Sequence, residues 1–177
     1  MTCRSGKCAA RVLFAKPLWP RLRVGCKWLI CLVAVTGQAA YPQTIELALT
    51  LQSDAARAAR EHRPVIALFS LPGCHFCDEI RQNYLVPLLR DAAPGNAPII
   101  REIVITGTRT VIDFSGAKVT QRSLAKHYGV HVAPTLLMLD AAGVPLVPPL
   151  VGGDTAGFYD GYLQQALATA SKHMQSK

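Results

Sequence analysis

The stretch Val65-Ile66-Ala67-Leu68-Phe69-Ser70-Leu71-Pro72-Gly73-Cys74-His75-Phe76-Cys77 decides the fold. Five consecutive apolar residues, Val65 to Phe69, suit a central strand buried on both faces. Leu71-Pro72-Gly73 breaks that strand, and two cysteines three positions apart follow at once. Residues from Cys77 to Arg90 read as a helix, with Ile80, Tyr84, Leu85, Leu88 and Leu89 on one side and Pro87 expected to kink or shorten it. Cys74 therefore stands where a strand turns into a helix. The unpaired N–H groups of a helix start carry partial positive charge, so they favour a thiolate there. The thiolate is the nucleophile, and a lowered pKa makes it available near neutral pH. Cys77, one turn further on, can reach the Cys74 sulfur and is the group expected to resolve a mixed disulfide.

Upstream, Thr44–His62 has an amphipathic pattern and reads as one helix, closed by Pro64. Downstream, Ile99–Ile105 is a second apolar strand interrupted by Arg101 and Glu102. Residues 106–120 suit a small hairpin or an irregular insertion. Gln121–Tyr128 is a short helix ended by Gly129. Val132-Ala133-Pro134-Thr135 opens the strand Leu136–Leu139, and Asp140–Gly143 turns into a last strand, Pro145–Val151, whose prolines suit an edge. Asp154 or Thr155 is expected to cap a final helix running to about Lys172. Early strands separated by helices require parallel pairing, and the closing strand–turn–strand suits antiparallel pairing. The expected class is α/β, a mixed central sheet with helices on both faces.

Charge and cysteine usage split the chain at the same place. The formal charge is +8, but residues 1–40 hold seven basic residues and no acidic one. The rest carries 12 basic and 11 acidic residues, which offers no footprint for a phosphate backbone and excludes nucleic acid as a partner. A basic stretch, a short apolar run from Trp28 and small residues at Gly37, Ala39 and Ala40 together read as a secretory signal over 1–40. The mature domain is then 41–177, starting at Ala40 or Tyr41 at the processing site. The apolar run between Lys27 and Gln38 is about half the ~20 residues of a membrane span. Removal of the signal takes Cys3, Cys8, Cys26 and Cys31 with it and leaves Cys74 and Cys77, too few for a disulfide framework.

The rival chemistry for the pair is half of a zinc site. Structural zinc needs four ligands, and no second pair exists in the mature chain. His127 and His131 are four apart, but Gly129 interrupts any shared helix. No metal and no cofactor is therefore expected. His75, between the cysteines, either tunes the thiolate as an imidazolium or is a solvated loop residue.

With Cys74-His75-Phe76-Cys77 after an apolar strand, and Val132-Ala133-Pro134-Thr135 opening a later one, the chain resembles the thioredoxin superfamily over roughly residues 44–172. Gly129-Val130, Asp140–Gly143 and Gly152 fit the same pattern. The resemblance implies a thioredoxin-like fold with Cys74 and Cys77 as catalytic residues and His75 and Phe76 as the tuning pair. It also implies a cis Pro134 beside the dithiol, and Ala133 offering its backbone to an extended substrate. The chain departs from cytosolic-type thioredoxin in Gly73, in His75-Phe76, and in Leu68, where that type has a buried aspartate that helps deprotonate the second cysteine. Asp78 and Glu79 are the nearest replacements in sequence, or else ordinary helix-start carboxylates.

The insertion and the long first helix are similar to exported thioredoxin-like proteins, such as those of bacterial sulfur-oxidation clusters and the C-terminal domain of the transmembrane electron-transfer reductase. That similarity implies a periplasmic monomer that reduces protein disulfides, with protein thiols and disulfides as partners and an upstream electron donor or acceptor that a membrane protein could supply. An oxidase or isomerase use of the same dithiol is the first alternative, although residues 41–177 leave no room for an isomerase's dimerisation domain. A non-catalytic protein handling copper or haem is the second, and Met138 is the only methionine near the motif in its favour.

Overall fold

The computed structural model describes residues 44–176. The signal expected over 1–40 lies outside the described residues. A four-stranded sheet runs in the order β2-β1-β5-β6, built from β1 (Val65–Ser70), β2 (Ile99–Val104), β5 (Thr135–Leu139) and β6 (Leu150–Val151). β1 pairs parallel with β2, with Leu68 opposite Glu102, and antiparallel with β5, with Phe69 opposite Thr135. β5 and β6 are antiparallel. A separate hairpin joins β3 (Thr110–Ile112) to β4 (Lys118–Thr120), and it occupies the segment read as a hairpin or insertion.

β1 is buried at all of its six residues because both faces of the sheet are covered. Val65, Ala67 and Phe69 face one core with Ile99, Ile103, Leu137 and Leu139, under helices α1 (Leu51–Glu61) and α4 (Gln121–His127) and the hairpin. Ile66 and Leu68 face the other with Ile100, Leu136 and Met138. Above that second core lie α2 (His75–Ile80), α3 (Val86–Arg90) and α5 (Tyr159–Gln175).

The structure departs from the sequence reading at several points. The first helix begins at Leu51, not Thr44. Residues before it run extended beside β2, where the Ala48 N–H donates to Glu102 O at 2.8 Å and the Glu102 N–H to Glu46 O at 2.9 Å. Ile45 and Ala48 are apolar for that pairing, and the same residues satisfy a helical periodicity. Pro87 makes no break in the α2–α3 helix. A π turn over Arg81–Leu85 precedes it, with the Val86 N–H bonded to Arg81 O, and the helix runs on through Pro87 to Arg90. The last strand is only Leu150–Val151, since Pro148 and Pro149 cannot donate to a ladder. Helix α5 starts at Tyr159, not at Asp154 or Thr155. Asp154 instead holds a loop, its Oδ1 accepting from the Gly157 N–H at 2.7 Å and the Tyr159 N–H at 3.4 Å. No helix among the described residues is long and apolar enough to cross a membrane.

Candidate active site

β1 delivers the chain to the dithiol. After Ser70 the Cys74 N–H donates to Leu71 O at 3.3 Å, closing a turn whose Gly73 has φ +69° with open space around it. Glycine takes that left-handed conformation at no steric cost. Cys74 then caps α2 from an extended backbone conformation (φ −84°, ψ 105°), and its Sγ accepts the Cys77 N–H at 3.1 Å. A cysteine sulfur thus stands where a serine or aspartate oxygen usually caps a helix. The two sulfurs form a disulfide, with Cα atoms 5.2 Å apart. The pair is asymmetric: Cys77 is fully buried, whereas Cys74 is half-buried and flanked by exposed His75 and Phe76.

Phe76 packs against the backbone of Gly153. A Cβ on Gly153 would come within 2.6 Å of its ring, so only glycine leaves room for the ring there. The His75 ring is 5.7 Å from that of Phe76. The Ala133–Pro134 peptide is cis. Thr135, the next residue, pairs with Phe69 near the end of β1, so Pro134 lies at the end of the sheet from which the Leu71–Cys74 turn springs. Pro134 is buried and its carbonyl accepts the Gly152 N–H at 2.8 Å, which ties this turn to the segment that seats Phe76. Ala133 is half-buried, and Val132 and Val151 are exposed on either side.

Leu68 is fully buried, and its neighbour across the strand pair is the buried carboxylate Glu102. Arg81, four residues after Cys77, grips Glu102 with two hydrogen bonds, Nε to Oε2 at 3.1 Å and Nη2 to Oε1 at 2.6 Å. Arg81 also pairs with Asp78. Glu102 and Asp78 together hold the Arg81 guanidinium above its ordinary pKa, the Glu102 hydrogen bond being the larger cause. Asp78 is thus committed to an ion pair, whereas Glu79 makes no ion pair among the described residues. One turn on, the Tyr84 hydroxyl donates to Asp154. That bond raises Tyr84 to about 12 and lowers Asp154 below the usual carboxylate range.

Arg81, Glu102, Tyr84 and Asp154 escape a reading of the sequence because each pair joins distant segments. The one local signal was the Arg101-Glu102 interruption of an apolar strand. Adjacent strand residues point to opposite faces, so each charge needs its own buried partner. Arg101 finds Asp54 on α1, with Nη2 to Oδ1 at 2.7 Å, and Glu102 finds Arg81 on the other side. His127 and His131 are both exposed. Among the described residues no group of three or more His, Cys, Asp or Glu is placed to hold a metal ion.

The sequence model of the thioredoxin-like domain matches residues 51–167, a span that takes in the Cys74–Cys77 disulfide and the cis Pro134. The chain belongs to the thioredoxin-like family. Solved structures similar to this thioredoxin-like protein include a poplar thioredoxin h, at 17% identity over 67% of this chain and 95% of that one, with a TM-score of 0.42. Another is the oxidised C-terminal domain of Neisseria meningitidis DsbD, at 20% identity over 66% of this chain and 92% of that one, with a TM-score of 0.44. A third, the DsbH oxidoreductase, shares 18% identity over 74% of this chain and 92% of that one, with a TM-score of 0.45. No curated protein sequence matches the chain.

Proposed function

We propose that this protein is an exported thiol–disulfide oxidoreductase that reduces disulfides of partner proteins, with Cys74 attacking and Cys77 resolving. The observation that carries this reading is the asymmetry of the pair: the accessible sulfur caps a helix and accepts an N–H, and the other is sealed in the core. In the reduced protein the Cys74 thiolate attacks one sulfur of a partner disulfide. A mixed disulfide forms and one partner thiolate leaves. Cys77, as thiolate, then attacks the Cys74 sulfur, forming the Cys74–Cys77 disulfide and releasing the second partner thiolate. Two electrons pass to the partner, whose two sulfurs take up two protons. An upstream dithiol donor returns the pair to its reduced form. Ala133 and Pro134 border the place where the partner chain would lie, and the basic, apolar start of the chain supports export to the periplasm.

Cys77→Ser should accumulate partner proteins as mixed disulfides on Cys74, and Cys74→Ser should accumulate none. Equal trapping by both variants would abolish the role assignment. Direction is read from the reduction potential. A value near about −270 mV marks a reductant, and one near about −120 mV an oxidant. Exposed His75 beside Cys74 favours the oxidant reading, so the His75→Ala variant belongs in the same measurement.

A further inference from the structure

Two stretches of chain that flank the dithiol have an unusual charge composition. No lysine or arginine occurs between Lys126 and Lys172, and none from Pro64 to Ile80. These two stretches supply the end of β1, the dithiol, the start of α2, the Ala133–Pro134 turn, β6 and the first turns of α5. Asp78 in them is paired with Arg81. Glu79, Asp154 and Asp160 have no cationic ion-pair partner among the described residues. Asp154 accepts from the Tyr84 hydroxyl, Asp160 lines a neighbouring cavity with Tyr84, and Glu79 acts on the same phenol, so the three are grouped around Tyr84. Asp140, at the far end of β5, serves its own turn.

The same face is apolar where it is not acidic. Phe76 is 47% exposed, Val151 60%, Tyr162 60% and Phe158 68%. The Asp154 loop creates this arrangement. It delays the start of α5 until Tyr159 and leaves Phe158 outside the core. A groove of about 260 Å³ runs between Val151, Gly153, Phe158 and Tyr162. Gly153, which lines it, also seats Phe76 on the dithiol helix, so the groove is continuous with the site.

We propose that this face selects the partner. The groove takes a large apolar side chain of the oxidised partner, and the uncompensated carboxylates take lysine or arginine residues close to the partner's cysteine. Charge complementarity carries the choice of occupant: three carboxylates with no cation of their own, beside an apolar groove, match a basic, apolar segment. This inference rests on the oxidoreductase reading.

The test uses the reduced protein and three synthetic peptides. Each has one cysteine held as a mixed disulfide with 5-thio-2-nitrobenzoate. The first peptide flanks it with leucine, phenylalanine and two lysines, the second replaces the lysines by glutamates, and the third replaces the apolar pair by glycines. Rates are divided by the rate on 2-hydroxyethyl disulfide, which is small and neutral. The first peptide should react roughly five- to tenfold faster than either of the others at low salt. Its advantage over the glutamate peptide should shrink on raising the ionic strength, since such attraction is screened. Phe158→Ser with Tyr162→Ser should remove the advantage over the glycine peptide, and Asp160→Asn should weaken the salt dependence. Equal relative rates on all three peptides would overturn the inference and leave the oxidoreductase reading standing. Self-association that Phe158→Ser abolishes would overturn it too, by giving the groove to a second copy. Failure of the wild type to reduce 2-hydroxyethyl disulfide would overturn the oxidoreductase reading and this inference with it.

Discussion

Three residues around Cys74 decide how its sulfur is presented. Gly73 turns the chain, Phe76 covers the outer side of α2, and Gly153 receives the Phe76 ring from the opposite strand loop. The last contact is close enough to be measured. A methyl group on Gly153 would meet the ring at 2.6 Å and the Phe76 Cβ at 2.9 Å, so one of the two must move. Phe76 is half in solvent and its ring can swing outward, but its Cβ stays at 2.9 Å unless the two backbones part, which puts Gly153→Ala in the ordinary range of overpacking costs, about 1–3 kcal/mol. Phe76→Ala removes the ring contact and leaves only the one with Cβ. In a double-mutant cycle read by urea denaturation, Gly153→Ala should therefore cost less in the Phe76→Ala background, with a coupling of about 0.5–1 kcal/mol. Strict additivity would show that the ring does not rest on that backbone.

Helix α2 is fastened at both ends of its π turn, by Arg81 to Glu102 on β2 and by Tyr84 to Asp154 on the loop before α5. The second link has a defined pH window. Tyr84 is raised from 10.0 to about 12 by its hydrogen bond to Asp154, so its contribution to stability is complete below pH 10.0 and is lost as pH climbs through about 12. Asp154 is lowered from 3.8 by the same bond, so its contribution is complete above pH 3.8 and is lost as pH falls through its folded value. The difference in Tm between the wild type and Tyr84→Phe should be a plateau between pH 3.8 and 10.0 that falls away on both sides. A difference independent of pH across both limits would remove the hydrogen bond as its cause. The strand and the dithiol were legible in the sequence because each is a contiguous motif with its own local physics, whereas the cis Pro134 was expected only from the resemblance to the thioredoxin superfamily. Arg81, Tyr84, Glu102 and Asp154 were not, because an ion pair or a phenol–carboxylate bond depends on segments up to 70 residues apart. The start of α5 was misplaced for the same reason. Asp154 looks like a helix cap in sequence, and its Oδ1 does accept helix-entry N–H groups, but across a loop that also answers to Tyr84.

At the scale of the molecule, β2 is the strand on which both helical layers are registered. Its neighbouring residues Arg101 and Glu102 point to opposite faces, and each meets a charge from a helix, Asp54 on α1 and Arg81 after α2. Paired charges in a core fix position more reliably than they stabilise, because desolvation opposes the attraction. Asp54 shows the balance directly. Burial raises its pKa and outweighs the lowering by Arg101, so its contribution is greatest below pH 3.8 and falls as pH rises through the folded value. At neutral pH the ionised carboxylate is therefore held in the fold at a net cost. Removing it alone is still harmful. Asp54→Ala leaves Arg101, its side chain only 18% exposed, with Glu46 at 3.2 Å as its remaining ion-pair partner, and should destabilise by about 3 kcal/mol. Replacing both partners by apolar residues of similar size, Asp54→Leu with Arg101→Met, should bring stability back to within about 1 kcal/mol of the wild type. Urea denaturation of the two variants at neutral pH measures both values. A double variant as unstable as Asp54→Ala would mean that the pair stabilises the fold outright, and that the desolvation of Asp54 is smaller than its burial implies.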